Sequence, residues 1–126
     1  MGIKTLLLVD DSETALLVET LLLEGESYRL LTAHGGREAL ELIHTASPDL
    51  VLLDLVMPDL DGIEVLRTLR ANPKTRDLPV IMVTTRGATA TMDRAYAEGC
   101  NAFITKPIDG LELLAQVRSC LGEVEP

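Results

Sequence analysis

Residues 50–62 read Leu-Val-Leu-Leu-Asp-Leu-Val-Met-Pro-Asp-Leu-Asp-Gly, and the architecture can be worked out from this segment. Leu50–Leu53 are four consecutive aliphatic residues, the pattern of a strand buried on both faces. The run ends at Asp54. Pro58, Asp61 and Gly62 then supply turn chemistry, and apolar residues resume at helical spacing with Ile63, Leu66 and Leu69. A strand that feeds a helix through a short turn is the unit of a parallel sheet.

The unit recurs on both sides. Strand-length apolar runs lie at Thr5–Val9, Tyr28–Thr32, Val80–Val83 and Ala102–Thr105, each bounded by Gly, Pro, Asp or Asn. Helical spacing marks a first helix at Ala15, Val18 and Leu22, and a second at Ala39, Leu42 and Ile43. A weakly apolar fourth follows at Met92, Ala95 and Tyr96, with Ala88, Ala90 and Ala97 around it, and a last at Leu114, Val117 and Leu121. Five strand–helix units predict an α/β fold of (βα)5 type, a parallel sheet between two helical layers. Gly25, Gly35, Gly36 and Gly99 read as helix exits and turns. No Gly/Ser-rich linker or repeat interrupts the pattern, so residues 1–126 read as a single domain. Gly122–Pro126 then follow the last helix as a terminus or the start of a linker.

Composition narrows the function classes. The net charge of -9 repels phosphodiester backbones and anionic lipid, which argues against direct nucleic-acid binding. No apolar stretch reaches the length of a membrane span, and the start MGIKTLLLVDD lacks a signal-peptide cleavage site. Cys100 and Cys120 are far apart, which favours free thiols in a reducing cytoplasm. With no Trp and one Phe, the core must be aliphatic, and Phe103 stands out.

The reactive residue types gather at the strand exits. Asp10 and Asp11 follow the first strand, Asp54 the third, Thr84 the fourth and Lys106 the fifth. Open parallel sheets bind ligands beyond those ends. Any one Asp here is ordinary turn or cap chemistry; Asp11 or Ser12 would cap the first helix, and Asp61 with Gly62 would make a turn. Turn chemistry does not explain five such groups on one rim. Three crowded carboxylates repel one another unless a cation neutralises them. Oxygen ligands without His or Cys select a hard ion, Mg2+ or Mn2+. His34 and His44 lie in the second unit, away from this rim. A Lys and a hydroxyl beside a metal suit a phosphoryl group, and the central carboxylate is then a candidate nucleophile.

In this order and spacing, Asp10-Asp11-Ser12, the run Asp54 to Gly62, Thr84 after an apolar strand, and Lys106-Pro107 resemble the receiver domains of two-component response regulators, the chemotaxis regulator among them. The resemblance covers essentially the whole chain. It implies a flavodoxin-like fold with sheet order 2-1-3-4-5. It implies Asp54 as phosphoacceptor, with Mg2+ held by Asp11, Asp54 and the main-chain carbonyl of Val56, and Asp10 acting largely through water. Lys106 would pair with the phosphoryl oxygens, Thr84 would bond one of them, and Phe103 would be the responding aromatic. Pro107 resembles the family's cis-proline, and Pro58 the proline shaping the turn after the acceptor. Thr85 departs from the small residue usual after the switch hydroxyl, and Arg86 and Val56 match positions that vary widely. The resemblance further implies a cytoplasmic protein, monomer or weak homodimer, phosphorylated by a histidine kinase, phosphotransfer protein or small phosphodonor. Its kinase would dock on the first helix, where surplus apolar residues such as Leu16, Leu17, Leu21 and Leu23 leave some exposed. Its output would go to a downstream protein at the face of helix 4, strand 5 and helix 5.

Two alternatives stand beside this reading. A phosphatase of the haloacid-dehalogenase type also uses an Asp nucleophile, Mg2+, Thr and Lys, but resembles Asp-x-Asp on its first strand, where this chain has Ser12 two positions after Asp10. A receiver that binds partners without phosphorylation is the other. Nucleotide enzymes are excluded, because neither a Gly-rich fingerprint nor a Walker-type Lys follows the first strand.

Overall fold

The computed structural model describes residues 2–85 and 89–123. Arg86, Ala88 and residues 124–126 therefore lie outside the described residues. The elements alternate strictly: β1 (Thr5–Val9), α1 (Glu13–Leu23), β2 (Arg29–Ala33), α2 (Gly36–Ala46), β3 (Leu50–Asp54), α3 (Gly62–Ala71), β4 (Val80–Thr84), α4 (Thr89–Ala97), β5 (Ala102–Thr105) and α5 (Gly110–Cys120). The strands form one parallel sheet in the order β2-β1-β3-β4-β5, the flavodoxin-like arrangement.

Strand alternation sorts the core into two layers. Leu7, Val9, Val51, Leu53, Val80 and Met82 pack under α2 and α3 and against Ala95 of α4. Leu6, Leu8, Leu50, Leu52, Ile81, Val83, Ala102 and Ile104 face α1 and α5. The middle strands β3 and β4 are buried at every position, whereas the edge strand β2 is buried only at Ala33. The two-sided burial expected of all five strands thus holds only inside the sheet, because an edge strand has a neighbour on one side alone. β2 also begins one residue later than expected. Its pairing with β1 starts at Arg29 opposite Thr5, and Tyr28 instead sends its hydroxyl to Glu123 Oε1 at 2.8 Å.

On α1 the buried residues are Leu16, Glu19 and Leu23, so the helix is rotated about one residue from the expected Ala15, Val18 and Leu22 stripe. Leu17, Val18 and Leu21 are exposed, at 58%, 43% and 56%. Ser12, not Asp11, caps this helix, its hydroxyl accepting from the Ala15 N–H. α3 opens with a capping box, Asp61 accepting from the Glu64 N–H and Glu64 from the Asp61 N–H. Gly62 is required by close approach, since a Cβ there would lie 2.6 Å from the Asp54 carbonyl oxygen.

Asp59 is a long-range fastener. Its carboxylate accepts from the backbone N–H groups of Gly36, Arg37 and Leu60, joining the segment after β3 to the start of α2. Those bonds hold it well below the usual carboxylate range, at about 2. Cys100 and Cys120 are free thiols, and no helix among the described residues is long and apolar enough to cross a membrane.

Candidate functional site

The site follows from register at the carboxyl ends of the strands. Val9 pairs with Leu53, which puts Asp10 beside Asp54. Asp54 pairs with Val83 and Thr84 with Thr105, which puts Thr84 and Lys106 at the same level. Asp54 and Thr84 are the last residues of their strands rather than the first beyond them. By alternation, Asp10, Asp54 and Lys106 share the face that carries Leu8, Leu52 and Ile104 toward α1 and α5. Thr84 shares the opposite face with Met82, and Phe103 packs against that same layer.

Carboxylate oxygens of Asp10, Asp11 and Asp54 all lie within 4.8 Å of one another. Asp10 and Asp54 are buried, at 1% and 7% exposure, and Asp11 faces solvent. Lys106 Nζ donates to Asp10 Oδ2 at 2.7 Å and lies 3.9 Å from Asp54 Oδ1. The Ser12 N–H donates to Asp10 Oδ1 at 2.9 Å. Burial, then the Asp10 charge, pushes Asp54 up to about 6, against the opposing pull of Lys106 and of the Val56 N–H bond to its carboxylate. Burial alone would lower the Lys106 ammonium, yet the Asp10 hydrogen bond and the charges of Asp54, Asp10 and Glu19 keep it above its ordinary value.

The remaining expected positions fall around this centre. Val56 follows β3 with its side chain 47% exposed, and Pro58 is exposed in the turn after it. Thr84 is buried at 1% exposure, its carbonyl accepting the Lys106 N–H at 2.9 Å. Thr85 is exposed. The Lys106–Pro107 peptide is cis. Phe103 is half-buried, and Tyr96 on α4 is 46% exposed. His34 and His44 are exposed, and His34, directly after β2, pairs with the carboxylates of Glu13 and Glu38.

Sequence reasoning missed one acid. Glu19 on α1 is buried at 1% exposure, and burial followed by the Asp10 charge pushes it up to about 8, with Lys106 pulling the other way.

Three carboxylates without His or Cys suit a hard divalent cation. The raised Asp54 adds to that fit, because a carboxylate held above its ordinary range by burial and a like charge is stabilised by a bound cation. The rim, with the Lys106 ammonium and the Thr84 hydroxyl, is suited to a small polyoxyanion.

Comparison with known proteins agrees with this geometry. A family model described as the response regulator receiver domain matches residues 6–118. The response regulator PleD of Caulobacter vibrioides is 38% identical over 114 residues, 90% of this chain but 25% of PleD, so the chain spans about a quarter of that relative. The polar-differentiation response regulator DivK of Brucella ovis is 32% identical over 120 residues, 95% of this chain and 98% of DivK. Among solved structures, the chemotaxis protein CheY4 of Vibrio cholerae superposes with a TM-score of 0.89 at 28% identity, covering 95% of this chain and all of that one. Members of this family bind Mg2+ at an acidic cluster and signal by contact with histidine kinases and downstream effectors, rather than by turning over substrates. The chain belongs to the response regulator receiver domain family of two-component signalling.

Proposed function

We propose that residues 1–126 act as one phosphoacceptor switch, in which an oxygen of Asp54 attacks the phosphorus of a histidine kinase, a phosphotransfer protein or a small phosphodonor. The bond between phosphorus and the donor breaks, its electron pair leaves with the donor, and Asp54 becomes an acyl phosphate. The observation that carries this reading is the buried Asp54 within 4.8 Å of two further carboxylates, with the Lys106 ammonium 3.9 Å away. Asp11, Asp54 and the Val56 carbonyl would hold Mg2+, with Asp10 acting through water. Mg2+, or Mn2+ in its place, supplies charge neutralisation at the transferring oxygens. Lys106 turns from Asp10 to the phosphoryl oxygens, and Thr84 donates its hydroxyl to one of them. Pro58 shapes the turn that carries Val56, and Pro107 sets the chain direction after Lys106.

Transmission follows from the two faces of the sheet. Thr84 and Phe103 lie on the side that packs against α4, so movement of the hydroxyl toward Asp54 vacates space that Phe103 fills. The surface of α4, β5 and α5 then changes for a downstream protein. The setting is cytoplasmic, with no direct nucleic-acid or membrane contact. Family membership weighs against the dehalogenase-type phosphatase, and the full set of reactive residues weighs against a receiver that is never phosphorylated.

The test is incubation with acetyl phosphate and Mg2+. The protein should take up one hydroxylamine-sensitive phosphoryl group, and Asp54→Asn should take up none while keeping its fold, since the amide has the carboxylate's shape without its nucleophilic charge. Stoichiometric label on Asp54→Asn would overturn the assignment, and sustained hydrolysis of a generic phosphate ester would favour the phosphatase.

A further inference from the structure

Glu19 is a polar residue for which this reaction has no use. Its Oε1 is buried without a hydrogen-bond partner, the only such side-chain atom among the described residues. With Ala15, Val18, Lys106, Pro107 and Ile108 it lines a groove of about 240 Å³ between α1 and the segment after β5. A buried, unpaired carboxyl oxygen is destabilising, a cost that a leucine at this position of the Leu16–Leu23 stripe would avoid. Packing therefore does not account for the residue.

Its neighbour does. An ammonium has three donors, and Lys106 directs one to Asp10 Oδ2 at 2.7 Å while Asp54 Oδ1, at 3.9 Å, is beyond hydrogen-bond reach. Glu19 and Lys106 attract each other across the groove they share. We propose that Glu19 is a positioning residue for Lys106: the unpartnered oxygen takes the ammonium as it leaves Asp10 and keeps it on the α1 side of Asp54, aimed at the incoming phosphoryl group. Acceptance of a hydrogen bond is what the role requires, so an amide in place of the carboxyl preserves it and an alkyl group does not. The inference rests on the reading of Asp54 and Lys106 given above.

The experiment compares the unaltered protein with Glu19→Leu and Glu19→Gln by two readouts. The first is phosphorylation by acetyl phosphate at saturating Mg2+. Glu19→Leu should be slower by about tenfold, the low end for losing a group that orients a functional side chain, and Glu19→Gln should recover most of the rate. The second is the Nζ chemical shift of Lys106 in metal-free, nitrogen-labelled protein, which should move in Glu19→Leu and return in Glu19→Gln. A Glu19→Leu protein that is merely more stable, with unaltered rate and Lys106 shift, would overturn the inference, as would a Gln variant as slow as the Leu one. Absence of label on the unaltered protein would overturn the reading of Asp54 itself and the role of Glu19 with it; label on Asp54 with indifferent Glu19 variants defeats only the latter.

Discussion

Asp11 is the exposed member of the carboxylate trio, and its neighbour Ser12 already caps α1. The two roles that the sequence left open for Asp11 are thereby separated, because the cap survives its loss. Asp11→Ala should weaken Mg2+ binding while raising the metal-free melting temperature by a few degrees, since one like charge leaves a crowded rim. Thermal melts with and without Mg2+ check this. A lower metal-free melting temperature would mean that Asp11 holds the helix entry after all. Asp10, Asp54, Thr84 and Lys106 were legible from sequence because period-two strands expose their ends in an orderly way. Glu19 was not. On a helix where Ala15, Leu16, Leu17, Val18, Leu21, Leu22 and Leu23 surround the axis, nothing local marks Glu19 as buried, and Lys106, with which it shares a groove, lies far away in the chain.

Among elements, α1 shows how far periodicity carries. The existence of the helix follows from the residues, but apolar side chains on every face leave its rotation undetermined. Packing against Leu8, Leu52 and Ile104 chooses Leu16 and Leu23 as anchors, and Leu16 and Leu23 are therefore not partner contacts. Truncating either to Ala should destabilise by about 2–5 kcal/mol through the cavity left behind. The exposed apolar residues of α1 are instead Leu17, Val18 and Leu21, the surface that the proposed kinase docking would use. Leu17→Asp and Leu21→Asp should reduce transfer from a histidine kinase while leaving the melting temperature and labelling by acetyl phosphate unchanged. Kinase transfer at the unaltered rate in both variants would remove α1 as the docking element. The link from Asp59 to the start of α2 spans more than twenty residues and has no local signature, so an Asp in a Pro-Asp turn gave no hint of it. The one-residue shift of β2 has the same origin, because only the β1 partner defines where that strand begins.

For the whole molecule, proton linkage and switching share the same rim. Glu19 is raised from 4.5 to about 8 and Asp54 from 3.8 to about 6, so each favours the folded state below its unfolded value and loses that contribution as pH rises through its folded one. Asp59 is depressed and acts oppositely, its contribution fading as pH falls toward about 2. Metal-free protein should therefore melt highest near pH 4–5 and progressively lower toward pH 8.5. Mg2+ should raise the melting temperature more at pH 8 than at pH 5, where Asp54 is protonated; an equal gain at both would show that Asp54 is not a ligand. Switching then depends on what lies behind Asp54. Thr84 and Phe103 occupy the sheet face under α4, and among the described residues Ala95 is the only buried residue of α4, while Ala90 and Ala97 are exposed. A helix so lightly anchored repacks at small cost. A downstream protein responds only by its differential affinity for the two arrangements, and tenfold tighter binding requires about 1.4 kcal/mol from the repacking. Thr84→Ala removes the hydroxyl proposed above to bond the phosphoryl group but leaves Asp54, its carboxylate neighbours and Lys106 in place. It should still accept phosphoryl, more slowly, yet transmit little to Phe103 and to Tyr96 on the exposed face of α4. NMR spectra with and without a beryllofluoride mimic check this, and full shift changes at Phe103 and Tyr96 in Thr84→Ala would mean that the signal reaches α4 by a route other than the β4 hydroxyl.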